Sequence, residues 1–167
     1  MRVAVIGAGS WGTAVANIVA RKQPVALWVR RPELAAAINT ERSNPDYLPG
    51  YRLSDQITAN PDLAGALAEA EAIVMGVPSH GFRSVLESAG DLIPSDTPIL
   101  SLAKGVERET LMRMTEVTAD VLPDHRRDRI GVLTGPNLAK EIVAGQPAAT
   151  VIAMEDATAA QALQQVF

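Results

Sequence analysis

Three constellations in this 167-residue chain combine residue types suited to chemistry. The first is Gly7-Ala8-Gly9-Ser10-Trp11-Gly12. A bare G-x-G-x-x-G spacing is weak, but here it follows an apolar strand pattern and opens a helical one, the setting in which it holds a dinucleotide. Gly7 serves the tight turn, Gly9 the close approach of backbone to a pyrophosphate, and Gly12 the close packing of helix on strand. The helix start, with Ser10 and Trp11, offers unpaired amides and a partial positive charge to the phosphates. Trp11 reads most simply as a packing residue, although its backbone and indole N–H groups can both serve a cofactor. The plain alternative is a glycine-rich turn with no ligand, and the strand–turn–helix setting weighs against it.

The second constellation is Arg30-Arg31, which ends Trp28-Val29-Arg30-Arg31. An NAD-preferring site carries Asp or Glu about 20 residues beyond the glycines, to accept from the ribose hydroxyls. No carboxylate stands there in this chain. Two guanidiniums can pair with a 2′-phosphate and stack on adenine, so NADP(H) is favoured and NAD(H) remains possible. A pair of solvated surface arginines is the competing explanation. The third constellation follows two further apolar runs. Lys104 precedes Gly105, and Gly135-Pro136-Asn137 opens another helical pattern. Ligands of open α/β sheets bind at the carboxyl ends of the strands, where a lysine can hold a phosphate or polarise a carbonyl. A surface lysine at a turn and a proline-marked helix start are the ordinary readings of the same residues. His80 is also post-strand, but a lone histidine is more often structural. His125 lies in the mixed-charge stretch 124–129, which reads as a solvated connection, and Met112 and Met114 read as core fillers.

The elements that must position these residues are legible as an alternation of short apolar runs with amphipathic stretches. Strands are predicted at Arg2–Ile6, Pro24–Val29, around Ile57, Ala72–Val77, Pro98–Leu102, Ile130–Leu133 and Ala148–Ala153. Helices are predicted at Ser10–Arg21, Pro32–Asn39, Asp62–Ala70, Ser79–Ala89, Glu109–Val121, Pro136–Ala144 and Asp156–Phe167, with an irregular polar segment from Glu41 to Pro61. This alternation predicts an α/β fold with a doubly wound, mostly parallel sheet occupying residues 1–167 as one domain. Near-continuous apolar strands fit a sheet covered on both faces. The last helix places Ala157, Ala160, Leu163, Val166 and Phe167 on one apolar face, and the chain stops there without a cap. That pattern is expected of a helix cut short, with Leu163, Val166 and Phe167 left uncovered.

Bulk composition narrows the function. The chain is 47% hydrophobic with a net charge of −4, which lends no support to nucleic-acid binding, and an anionic ligand would need local positive groups. It contains no cysteine, and its two histidines form no metal-ligand pattern. No basic leader precedes an apolar stretch at the N-terminus, and no apolar run approaches the ~20 residues that cross a bilayer, so a cytoplasmic protein without stable membrane insertion is expected.

Five segments occur together in one order: Gly7–Thr13 (GAGSWGT), Asn44–Gly50 (NPDYLPG), Val77–His80 (VPSH), Ala103–Val106 (AKGV) and Gly135–Glu141 (GPNLAKE). In this the chain resembles the bacterial NAD(P)-dependent glycerol-3-phosphate dehydrogenases over essentially its whole length. The resemblance implies a Rossmann-type domain followed, in the complete enzyme, by an all-helical substrate domain absent from these residues. It implies reduction of dihydroxyacetone phosphate to sn-glycerol 3-phosphate for glycerophospholipid synthesis, with a homodimer possible. It further implies cofactor contacts from Gly7, Gly9, Ser10, Trp11, Gly12, Arg30, Arg31, Lys104 and Ala139, and substrate contacts from Lys104, Gly135 and Asn137. Family members often carry Ser or Thr where Asn137 stands; an amide can still hydrogen-bond a phosphate or hydroxyl. The family's acid/base lysine lies beyond Phe167, so no catalytic acid/base and no turnover are expected within the chain. Two alternatives are a different two-domain dehydrogenase of the ketopantoate reductase type and a non-catalytic module that senses nucleotides.

Overall fold

The structure, a computed structural model, describes residues 1–167. Seven strands, β1 (Val3–Ile6), β2 (Val25–Trp28), β3 (Ile57–Asn60), β4 (Ala72–Met75), β5 (Ile99–Ser101), β6 (Ile130–Thr134) and β7 (Val151–Ala153), form one sheet. The helices are α1 (Ser10–Val19), α2 (Pro32–Glu41), α3 (Leu63–Leu67), α4 (Ser79–Ala89), α5 (Met114–Val121), α6 (Ala139–Val143) and α7 (Ala157–Gln164). Strand order is β3-β2-β1-β4-β5-β6-β7. Every neighbouring pair is parallel except β6 and β7. The doubly wound, mostly parallel α/β sheet read from the sequence is therefore the fold.

The period of two along each strand divides the core into two layers. Val3 and Val5 face one side with Val25, Leu27, Val74 and Leu100, where Val15, Val19, Ile38 and Leu163 of the helices cover them. Ala4 and Ile6 face the other with Ile73, Met75 and Ile99, beneath Phe82, Leu86 and Val117. Local chemistry sets several helix ends. Pro32 occupies the first turn of α2 and Arg42 ends it in the left-handed region at φ 53°. The Asp62 carboxylate accepts from the amides of Ala64 and Gly65 at the start of α3.

Four expectations change. The helix predicted from Glu109 begins at Met114, because residues 106–113 double back on themselves. Val106 bridges Arg113, and the Glu107 amide donates to the Met112 carbonyl at 2.9 Å. The helix predicted from Pro136 begins at Ala139, after a tight turn in which the Asn137 amide reaches the Gly135 carbonyl at 2.9 Å. α6 has five residues, and the strand that follows it, β7, pairs antiparallel with β6. His125 is not solvated: it is 6% exposed, with Nε2 2.9 Å from the Thr97 carbonyl and Nδ1 3.1 Å from that of Arg126. Finally, Leu163 and Val166 are not uncovered. They are 1% and 3% exposed, because α7 folds back onto the same layer as β1 and β6, and Phe167 packs partly against that layer.

Candidate functional site

Parallel strands bring Ile6, Met75, Ser101 and Thr134 to one edge of the sheet, and the loops leaving that edge carry most of the residues singled out from sequence. The order reverses at β1, which has β2 on one side and β4 on the other. A crevice at the carboxyl edge beside such a reversal is where doubly wound sheets take ligands.

The glycine loop occupies that crevice. Gly7 has φ +112°, a conformation side chains other than glycine's rarely adopt, and a Cβ there would stand 2.9 Å from the Gly76 carbonyl oxygen. A Cβ on Gly12 would overlap the Gly7 carbonyl oxygen. Gly76, at the end of β4, closes the set: a Cβ on it would lie 3.1 Å from the Gly12 Cα. The sequence reading did not include Gly76, although its place at the end of an apolar strand run was a signal. Gly9 differs from all three. It has an ordinary φ of −67° and no heavy atom within 4 Å of a Cβ built upon it. No packing contact requires a glycine here, and its bare backbone is open to the close approach of a phosphate. The residues therefore fit a dinucleotide, with Gly7, Gly12 and Gly76 packing the loop and Gly9 leaving its outer side bare.

A second segment braces this loop. Asn44, fully buried, donates from Nδ2 to the Ala8 carbonyl at 2.9 Å and lies 2.8 Å from the Thr13 hydroxyl, while its Oδ1 accepts from the Tyr47 amide at 3.2 Å. Leu48, equally buried, packs with Ala14 and Ile142, alongside Trp11 and Ala139. Trp11 is thus a packing residue at the loop's edge, and Ser10 is exposed at the first turn of α1. Asn44 entered the sequence reading only within a motif; its buried brace is a contact over 36 residues that no local pattern reveals.

The two arginines after β2 are not equivalent. Arg30 is exposed and makes no ion pair. Arg31, the residue before Pro32, pairs with Asp46 and lies 3.8 Å from a Glu33 carboxylate oxygen. The hydrogen bond to Asp46 raises the Arg31 pKa further above its ordinary value.

Across the crevice Lys104 and Gly135 meet: Lys104 Nζ donates to the Gly135 carbonyl at 3.3 Å. The loop carrying Lys104 is anchored behind it. Glu107, 8% exposed, receives two bonds from Arg83 of α4 at 2.8 and 2.9 Å and one from the Thr110 hydroxyl at 2.5 Å. Arg83 in turn reaches Asp120 of α5 at 2.7 Å. The Arg83 guanidinium, with help from Thr110, holds the Glu107 carboxyl at about 2. Both polar atoms of the Asn137 carboxamide are shielded from solvent and lack a hydrogen-bond partner within the protein. Buried amides seldom stay unpaired, which makes this pair of atoms an exception within the fold. A Cβ on Gly135 would stand 2.6 Å from the Ala149 carbonyl oxygen, a backbone atom that cannot swing aside, which favours glycine at that position. His80 is exposed in the first turn of α4, and no group of three or more His, Asp and Glu side chains could hold a metal ion. No helix is long and apolar enough to cross a membrane.

Comparison with known proteins agrees with this geometry. The glycerol-3-phosphate dehydrogenase (NAD(P)+) 2 of Sphingopyxis alaskensis is 49% identical over 167 residues, covering 100% of this chain and 49% of that protein. A glycerol-3-phosphate dehydrogenase (NAD(P)+) of Corynebacterium aurimucosum is 52% identical over 163 residues, covering 97% of this chain and 49% of that protein. The crystal structure of glycerol-3-phosphate dehydrogenase from Coxiella burnetii, 32% identical, superimposes with a TM-score of 0.90 over 99% of this chain and 50% of that one. The chain thus spans about half the length of the curated relatives it matches. The family model describing the N-terminus of NAD-dependent glycerol-3-phosphate dehydrogenase matches residues 2–160, and the chain belongs to that family.

Proposed function

We propose that these residues form the cofactor-binding half of an enzyme that reduces dihydroxyacetone phosphate to sn-glycerol 3-phosphate, with NADP(H) favoured over NAD(H). The observation that carries the reading is the bare outer side of Gly9 facing the same sheet edge as Lys104, Gly135 and the unpaired Asn137 amide. A bound nicotinamide supplies the hydride, and the protein's part is to position and to stabilise charge. The glycine loop and the amides of Ser10 and Trp11 hold the pyrophosphate, and Arg30 and Arg31 meet the far ribose. Lys104 carries the positive charge that holds a substrate phosphate or stabilises the developing oxyanion, and the Glu107–Arg83 pair fixes the loop from which it projects. Gly135 and Asn137 complete the substrate wall, with Ala139 on the nicotinamide side. The acid/base lysine and the helical wall over the substrate belong to the other half of the enzyme, which acts in the cytoplasm on this small phosphorylated ketone.

Calorimetry on the 167-residue chain is expected to show NADPH binding, and more weakly NADH binding, while an absorbance assay at high protein concentration shows no dihydroxyacetone phosphate reduction. Failure to bind either nucleotide would overturn the cofactor assignment, and brisk turnover by the chain would overturn its reading as half a site. In the two-domain enzyme Lys104→Ala is expected to lower turnover about ten- to a thousandfold, the scale of one lost electrostatic stabiliser. Near-normal turnover would remove Lys104 from the mechanism.

A further inference from the structure

We infer that Asp46 is a specificity-determining residue which, through its ion pair with Arg31, lets one site accept both phosphorylated and unphosphorylated dinucleotides. The inference rests on the cofactor reading above and refines it. The end of β2 lacks the carboxylate that would receive the ribose hydroxyls of NAD, yet the fold brings one to the Arg31 guanidinium from a remote segment. Asp46 pairs with the Arg31 guanidinium across 15 residues. Its position is not accidental. Asn44, two residues earlier, is buried and bonded to the glycine loop, and the Leu48 amide closes the turn on the Asn44 carbonyl at 2.9 Å. Arg31 is equally constrained, because the residue before a proline is held extended, here at φ −97° and ψ 117°. Both members of the pair remain 44% exposed, so a ligand can reach either.

The two cofactor forms would use this pair differently. A 2′-phosphate dianion meets the unpaired Arg30 and competes with Asp46 for Arg31; the exposed pair is weak enough to yield to it. A free ribose diol offers no charge to Arg31 but donates to the Asp46 carboxylate, which the pair with Arg31 keeps oriented. Asp46 therefore opposes the phosphorylated form, through repulsion and through competition, and supports the unphosphorylated one.

The test is a fluorescence titration of the 167-residue chain with NADPH and with NADH, in the unsubstituted protein, in Asp46→Asn and in Glu33→Gln. Asparagine keeps the shape of Asp46 and removes its charge. Glu33→Gln makes the same change of net charge at the other carboxylate near Arg31. Asp46→Asn is expected to tighten NADPH and loosen NADH, moving the ratio of their dissociation constants about tenfold or more, on the scale of one charge-assisted hydrogen bond. Glu33→Gln is expected to move that ratio by less than about twofold, as exposed charges do. An unsubstituted chain that binds both nucleotides, with the ratio unmoved in Asp46→Asn or moved equally in Glu33→Gln, overturns the role of Asp46 and leaves the cofactor reading standing. An unsubstituted chain that binds neither overturns both.

Discussion

Gly9→Ala should separate what the glycine loop does for the fold from what it does for a ligand. An alanine at φ −67° and ψ 176° is unstrained, and its methyl meets no heavy atom within 4 Å. Two small terms act on stability. As the residue capping α1, alanine is worse than glycine by up to about 1 kcal/mol. Its stiffer unfolded chain returns about 0.4–1 kcal/mol. The two offset, so urea denaturation followed by circular dichroism should place Gly9→Ala within about 1 kcal/mol of the parent. Binding should behave otherwise. On the proposed cofactor reading the methyl stands where a pyrophosphate approaches, and backbone N–H bonds to a charged phosphate contribute roughly 1.5–3 kcal/mol each. Displacing one of them weakens NADPH by about 10- to 150-fold. Gly12→Ala provides the contrast: its Cβ would overlap the Gly7 carbonyl oxygen, which is backbone and cannot swing aside. That variant should lose binding and also about 1–3 kcal/mol of stability through overpacking. If Gly9→Ala bound NADPH with parental affinity, the bare side of Gly9 would not be where the cofactor lies. If it cost more than about 2 kcal/mol of stability, the glycine would be structural and the argument from open space would collapse.

Two further outcomes follow from burial and charge. Leu163→Ala in α7 should cost about 2–5 kcal/mol in urea denaturation, because Leu163 is 1% exposed in the main core; a cost below about 0.5 kcal/mol would mean that the helix does not dock in solution. The Glu107 carboxyl, held at about 2 by Arg83 and Thr110, binds its proton less readily in the folded chain than in the unfolded one. Its contribution is therefore complete above the ordinary carboxylate range and is lost as pH falls from about 4.5 towards 2, so stability rises with pH across that window. Glu107→Gln should flatten this part of a stability–pH curve measured by urea denaturation, and an unchanged slope would show that the pair with Arg83 is not the cause.

What could be read from the sequence was what depends on neighbours along the chain. The strand–glycine–helix unit at residues 3–19 is local, since the turn at Gly7, the amides of Ser10 and Trp11 and the apolar periodicity on either side are all set within a few residues. Lys104 and Gly135 could be placed at one edge because each follows an apolar run, and parallel strands must end on the same side. The alternation of strands and helices implied the doubly wound sheet for the same reason. The absence of a carboxylate after β2 was equally plain, and it made two arginines look like a matched pair.

The tertiary structure decided what depends on residues far apart in sequence. Gly76 is required by Gly7 and Gly12 across the junction of β1 and β4; its place at the end of an apolar run marks a turn, but not the remote loop it must clear. Asp46 reaches Arg31 through a turn hung on Asn44, so the arginines are one free and one paired. The start of α5 moves to Met114 because residues 106–113 form a turn whose Glu107 is anchored by Arg83, 24 residues earlier, which helical periodicity cannot register. His125 reads as solvated among its charged neighbours and is buried because two carbonyls face its ring. The apolar face of α7 reads the same whether covered or bare; only the return of the chain through the antiparallel β7 lays Leu163 and Val166 on the core. Propensity and periodicity are short-range properties of a chain, whereas close approach, ion pairing and burial are properties of surfaces that meet only once the chain has closed on itself.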